Sequence, residues 1–208
     1  MSVEVYHYNN NPIESSCYIV KDIKKQIVLI VDPGTEDMSS IVNNELGNKI
    51  NKIILTHEHF DHIMGCNYLN DKFSTSIICS DYCAEAIVDP KKNLSLFHNP
   101  PGFYVKNKIS CIDNYNSSTM IGGIEVVFYK AQGHSLGGIC FKIGNYIFTG
   151  DSLIENTKTV TKLKNGSKNK LVETLDLLES MKGYGYIVCP GHGGMFYLDD
   201  CDLTKALK

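Results

Sequence analysis

The chain has 208 residues, 43% of them hydrophobic and 21% charged, enough apolar material for a buried core and too much for a disordered chain. Its basic residues are all lysine, and 20 lysines against 23 acidic residues leave a net charge of −3. Without a basic face, nucleic acid is not an expected partner, and without arginine any bound anion must be held by lysine, backbone N–H groups or metal.

The start, Met1 to Tyr8, has no positive stretch followed by an apolar one, as a signal peptide would have, and no apolar run approaches the ~20 residues that span a bilayer. A cytoplasmic protein without membrane association is expected. Strands are expected over 3–8, 16–21 and 26–31, rich in Val, Ile and Tyr, with Asp32-Pro33-Gly34 ending the third. A helix is expected over 37–47, stopped by Gly47, then a short strand over 52–56 that runs into His57. Residues 62–70 read as a helix, 76–80 as a strand and 81–88 as a helix. Residues 89–120, with Pro90, Pro100, Pro101 and Gly102, read as a long structured loop. Strands resume at 124–129, 138–143 and 145–149. Leu171, Leu175, Leu178 and Met181 recur at helical spacing and predict a helix over 168–182. A last strand at 187–189 and a last helix at 200–207 complete the chain.

Runs of strands with helices between them suggest two packed sheets with helices outside, an α+β fold, over one domain spanning 1–208. Eight cysteines invite a disulfide reading. Cys17, Cys79 and Cys189 sit inside apolar strands, however, and no Cys-x-x-Cys pair occurs, so buried free thiols are expected.

The chemistry concentrates in Thr56-His57-Glu58-His59-Phe60-Asp61-His62, directly after an apolar strand. In an extended segment His57 and His59 share a face while Glu58 points away; a turn then aims Asp61 and His62 beside them. Imidazole and carboxylate are the ligands zinc and related ions take. Three more candidates sit in glycine-flanked turns at strand ends: His134 in Gly133-His134-Ser135, Asp151 in Thr149-Gly150-Asp151-Ser152, and His192 in Pro190-Gly191-His192-Gly193. His7 and His98 match none of these motifs; His7 reads as a strand residue and His98 as an exposed loop residue, with lining the mouth of the site as its alternative. Asp113 and Asp176 read as solvated surface.

With its H-x-H-x-D-H run at 57–62, His134, Asp151 and His192, the sequence resembles the metallo-β-lactamase superfamily, over roughly residues 15–195. The resemblance implies a metallo-β-lactamase-like αβ/βα four-layer sandwich with two divalent metal ions, zinc as first choice and iron or manganese as alternatives. It implies His57, His59 and His134 on one metal, Asp61, His62 and His192 on the other, and Asp151 bridging. Asp32 would support the site from behind the ligands. Gly133-His134-Ser135-Leu136-Gly137-Gly138, Phe148 to Leu153, and Asn93-Leu94-Ser95 look like the glyoxalase II-like branch, which hydrolyses hydroxyacylglutathione. That branch has a further C-terminal helical domain helping to bind glutathione. Here 16 residues follow His192 and no arginine is present, so thioester hydrolysis is the expectation and glutathione specificity is not.

The implied reaction is cleavage of a small thioester or ester by a hydroxide bridging two metals, with Asp61 as the catalytic residue orienting it. Lys162, or Lys164, is a candidate to steer a substrate carboxylate, and Tyr104 to cover the site. Three other functions compete. A mononuclear iron persulfide dioxygenase would use only His57, His134 and Asp151. A phosphodiesterase or lactonase of the same superfamily would share the ligands. A non-catalytic binding protein would be marked by lost ligands, and none is lost.

Overall fold

Alternation along the strands decides which residues meet in this protein. The computed structural model describes residues 3–22, 24, 26–45 and 50–208. One six-stranded sheet is formed, in spatial order, by β1 (Glu4–Asn9), β2 (Ser16–Asp22), β3 (Ile27–Val31), β4 (Lys52–Ile54), β5 (Ser76–Cys79) and β6 (Lys108–Cys111). The first three strands are antiparallel, and β3 to β6 are parallel. Parallel neighbours need crossovers. These carry α1 (Ser39–Glu45), α2 (Cys66–Phe73), and the pair α3 (Asp81–Ala86) and α4 (Ser95–His98).

The second six-stranded sheet contains β7 (Ser118–Ile121), β8 (Ile124–Lys130), β9 (Ile139–Ile143), β10 (Tyr146–Gly150), β11 (Ile187–Pro190) and β12 (Phe196–Tyr197). Strands β7 to β10 form an antiparallel meander; α5 (Lys168–Glu179) then crosses to bring β11 parallel to β10.

Ile19, Ile30, Ile53 and Ile77 face outward, toward Ile41, Leu69 and Cys83 of α1, α2 and α3. Their chain neighbours Tyr18, Val20, Leu29, Val31 and Ile54 face inward and meet Phe128, Phe141 and Phe148 of the second sheet. Phe141 and Phe148 stack with centroids 4.6 Å apart, and each such fully buried ring contributes about 2–3 kcal/mol. Ile147 and Val188 point the other way, onto Leu171, Leu175 and Leu178 of α5. Helices, sheet, sheet and helix form the expected αβ/βα four-layer sandwich.

Several elements differ from the sequence reading. Residues 89–120, read as a long structured loop, contain α4, β6 and most of β7. Both strands lie at sheet edges, where Lys108, Ser110, Ser118 and Thr119 need no apolar alternation. The helix expected from residue 62 begins at Cys66, because Phe60–His62 forms a 3-10 turn. The last helix is also 3-10, over Leu203–Leu207. The expected stop at Gly47 lies outside the described residues. The eight cysteines are free and all but Cys111 are buried. Among the described residues no helix is long and apolar enough to cross a membrane.

Asn93 keeps the mid-chain segment ordered. Its amide donates to the carbonyls of Ile87 and Phe103, and its Oδ1 accepts from the Ser95 N–H. Ser95 Oγ in turn accepts from the Phe103 N–H at 2.9 Å.

Candidate metal centre

Five histidines and two aspartates converge at one end of the sandwich. His57 and His59 follow β4, Asp61 and His62 lie in the 3-10 turn after it, and His134 precedes β9. Asp151 follows β10 and His192 follows β11. Backbone bonds between the two sheets hold these ends together. The Ile139 N–H donates to the Thr56 carbonyl at 2.9 Å and the Ser16 N–H to the Gly191 carbonyl at 2.7 Å. The Tyr18 hydroxyl donates to the Pro190 carbonyl at 2.8 Å.

Two glycines are required by this crowding. Gly150 has φ +49°, and a Cβ there would meet Thr56 Oγ1 at 2.5 Å. A Cβ on Gly191 would meet Asp151 Oδ1 at 2.0 Å.

Donor atoms of His57, His59 and His134 lie within 4.8 Å of one another, as do those of Asp61, His62 and His192. Asp151 stands between the two groups. Its Oδ1 is 3.5 Å from His62 Nε2, and its Oδ2 is 3.5 Å from both His134 Nε2 and His192 Nε2. His57 Nε2, His62 Nε2 and Asp151 Oδ1 are buried without a hydrogen-bond partner. A buried polar atom left unpaired costs about 1–3 kcal/mol. Orphaned polar atoms from two strand ends, set among further imidazole and carboxylate donors, fit divalent cations.

The groups behind the donors fix which nitrogen is free. His134 Nδ1 is 2.9 Å from the Val160 carbonyl, which only accepts, so Nδ1 carries the proton and Nε2 faces the site. Thr56 Oγ1 donates to Asp32 Oδ2 at 2.5 Å and accepts from His57 Nδ1 at 3.0 Å, leaving His57 Nε2 free. Asp32 Oδ2 also accepts from His62 Nδ1 at 3.1 Å, and its Oδ1 accepts from the Thr56 N–H at 2.8 Å. Asp32, His57 and His62 are close enough to form a third donor group. With both its oxygens engaged by protons, Asp32 orients imidazoles. His59 differs from the others: its Nδ1 meets His134 Nε2, at 2.9 Å.

Asp32 has φ +50°, a conformation asparagine also accepts. Asp32→Asn is therefore expected to fold but to leave either the Thr56 N–H, or both the Thr56 hydroxyl and His62 Nδ1, without an acceptor. Metal affinity should drop about 10–100-fold, measured by competition with a chromophoric chelator; unchanged affinity would contradict the orienting role.

Electrostatics divide the two groups. Burial, then the neighbouring imidazoles, push His57 well below the ordinary histidine value. Burial and then His134 push His59 down to about 3, and burial lowers His134. These three are thus held neutral, the form that binds metal. His62 moves to about 10, because Asp61, Asp151 and Asp32 together outweigh its burial. His192 is raised by its bond to Asp61. Burial alone would raise Asp61, but His62 and His192 hold it below the usual carboxylate range.

A divalent cation held by Asp61, His62 and His192 would take the place of those imidazole protons. Near pH 7, loading should release about one to two protons per chain, and affinity should weaken further as pH falls. Calorimetry in buffers of different ionisation enthalpy reads this directly; heats independent of buffer would contradict it.

All seven ligand-type residues expected from the sequence come together. The three substrate candidates are exposed at the surface. Lys162 and Lys164 are exposed on the loop between β10 and α5. Tyr104 is 54% exposed, and its carbonyl accepts from Asn67 of α2. His98 is exposed, as expected, and also stacks on Phe60 with centroids 4.4 Å apart. His7 lies in β1, stacked on Tyr18. Glu58 turns away from the donors as alternation requires, yet it is buried and its carboxyl is pushed up to about 6 by that burial. Sequence reasoning missed Val160, which acts through a backbone carbonyl and leaves no side-chain signal. It also missed Thr56, whose signal was its place between the strand and His57.

A four-layer αβ/βα sandwich with His and Asp donors gathered at one end of its sheets defines a class of metal-site proteins. The family model for the metallo-beta-lactamase superfamily matches residues 10–192, and the chain belongs to that superfamily. Among curated relatives, the probable polyketide biosynthesis zinc-dependent hydrolase PksB of Bacillus subtilis is 27% identical, over 85% of this chain and 72% of that protein. Among solved structures, the BLEG-1 B3 metallo-beta-lactamase shares the fold with a TM-score of 0.84 at 23% identity, covering 94% of each chain. TTHA1623 in a di-iron-bound form has a TM-score of 0.74 at 21% identity, over 93% of this chain and 94% of that one.

Proposed function

We propose that the chain is a dinuclear metal-dependent hydrolase of a small thioester or ester. The observation that carries this reading is Asp151, whose carboxylate reaches both donor groups: its Oδ2 lies 3.5 Å from His134 of the imidazole trio and from His192, and its Oδ1 lies 3.5 Å from His62. His57, His59 and His134 would hold one ion and Asp61, His62 and His192 the other, with Asp151 between. Bound zinc, or iron or manganese in its place, would supply an acidified water and a Lewis acid for the acyl carbonyl.

The protein's own groups do the rest. Asp61 stays ionised against its burial, so one of its oxygens can accept a hydrogen bond from water and aim the water's lone pair. The Val160 carbonyl, the Asp32 carboxylate and the Thr56 hydroxyl fix the tautomers of His134, His62 and His57 in advance, which lessens the reorganisation needed as charge develops. Beyond His192, an opening lined by Ile154, Glu155, Thr157, Gly193 and Gly194 gives a polar leaving thiol a way out. An acidic residue there, on a chain of net charge −3 without arginine, favours thioesters over phosphodiesters. An iron dioxygenase using His57, His134 and Asp151 alone would leave the grouping of Asp61, His62 and His192 without a role. The glyoxalase II-like motifs support an acyl-thioester substrate, and the relative named as a zinc-dependent hydrolase supports zinc.

The test is a substrate panel on metal-loaded protein, lactoylglutathione first, then neutral thioesters, lactones and bis(p-nitrophenyl) phosphate. Thiol release from thioesters is expected. Cleavage of the phosphodiester with every thioester and lactone intact would overturn the reading.

A further inference from the structure

A cavity of about 380 Å³ lies beside the metal centre, within the size range of small-molecule sites. It begins one residue from the donors, because Phe60 stands between His59 and Asp61 in the chain and lines it. Phe60, Met64, Pro100, Pro101 and Phe103 give it an apolar wall, and the rest of its lining is largely polar, with Asn11, Thr35, His98 and Asn99 beside two carboxylates. Phe60 and His98 are stacked with an interplanar angle of 22° and make one flat side. Phe103 is held in place through its backbone by Asn93 and Ser95, so this wall is built before any ligand arrives. The charged groups of the lining are Glu36 and Asp37, both exposed, and no lysine is among the lining residues.

We infer that this cavity holds the acyl arm of the substrate, and that it selects apolar arms with an uncharged or cationic end over arms ending in a carboxylate. Two contrasts support the assignment. The opening on the His192 side has Ile154 as its one large apolar side chain and suits a polar thiol, whereas the Phe60 cavity suits a hydrocarbon. A carboxylate entering the cavity would approach Glu36 and Asp37 with no lysine in the lining to meet it. Lys72 acts on Asp37 from outside, weakly.

The inference rests on the thioester reading for the word acyl, but the cavity's selectivity can be read by binding alone. The probes are N-acetylcysteamine thioesters of acetyl, butyryl, hexanoyl, aminohexanoyl and adipoyl arms, together with their non-hydrolysable thioethers. Calorimetry on the metal-loaded protein measures thioether binding, and thiol release measures turnover. Affinity should rise about three- to fourfold per methylene from acetyl to hexanoyl. The aminohexanoyl arm should bind about fivefold more tightly than the adipoyl arm at low salt, with the gap shrinking as salt is added. Phe103→Ala should flatten the dependence on length. Glu36→Gln with Asp37→Asn, which keeps an acceptor for the Ser39 N–H, should close the gap between the two charged ends. Equal binding of all arms, or tightest binding of the adipoyl arm, would overturn the inference. Ordered thioether binding without cleavage of any thioester would sustain the cavity's selectivity and sink thioester hydrolysis instead.

Discussion

Asp151→Ala is expected to lower hydrolysis by about a thousandfold or more while the protein stays folded. Asp151 makes no contribution to the apolar layers; its carboxylate serves only the cluster, 3.5 Å from each of three imidazoles. Removing it takes away the group shared by both halves of the site. It also leaves the His62 and His134 nitrogens facing each other's side of the cluster without the intervening negative charge. Metal content should fall with activity, and the far-ultraviolet circular dichroism should not change. Full turnover in this variant would mean that the two donor groups do not work as one centre.

Gly191→Ala should be nearly as damaging although it adds only a methyl group. Its Cβ would stand 2.0 Å from Asp151 Oδ1 and 2.9 Å from the Gly150 carbonyl carbon, so the carboxylate must move. A displacement of about 1 Å at a reacting centre costs on the order of a hundredfold. Gly194→Ala, three residues along the same loop, is the control. Nothing lies within 4 Å of a Cβ there; a methyl on the exit it lines can shift KM, but metal content and kcat should stay within about twofold of the parent. Equal losses in both variants would point to a loop sensitive to any change, and would remove Gly191 from the account.

The metal donors were legible because each occupies a strand end. Apolar runs such as Ile53-Ile54-Leu55 and Ile187-Val188-Cys189 announce the strand, and a glycine or a histidine marks where it stops. The α5 stripe was legible for the same reason, since Leu171, Leu175 and Leu178 bury one face on the second sheet. Edge strands escaped. In β6, Lys108, Ser110 and Cys111 are exposed, and strand pairing alone, which is backbone chemistry, keeps them extended. The start of α2 escaped because the turn that aims Asp61 and His62 displaces it by four residues. The tautomer-setting contacts escaped almost entirely. Asp32 could be suspected from its turn, but the Val160 carbonyl belongs to a residue whose side chain says nothing. The Phe60 cavity needed the fold, because its walls come from segments near 12, 36, 60 and 100 that only the sandwich brings together.

Metal content per chain tests the central claim most directly. Untagged protein should be grown with zinc, iron and manganese all supplied and measured by plasma mass spectrometry against protein concentration. Two divalent ions per chain are predicted, one for the imidazole trio and one for Asp61, His62 and His192, with Asp151 shared. A single iron per chain would contradict the dinuclear account and turn attention to oxygen chemistry at His57, His134 and Asp151. Protein that takes up no metal even after reconstitution would contradict the reading of all seven donors.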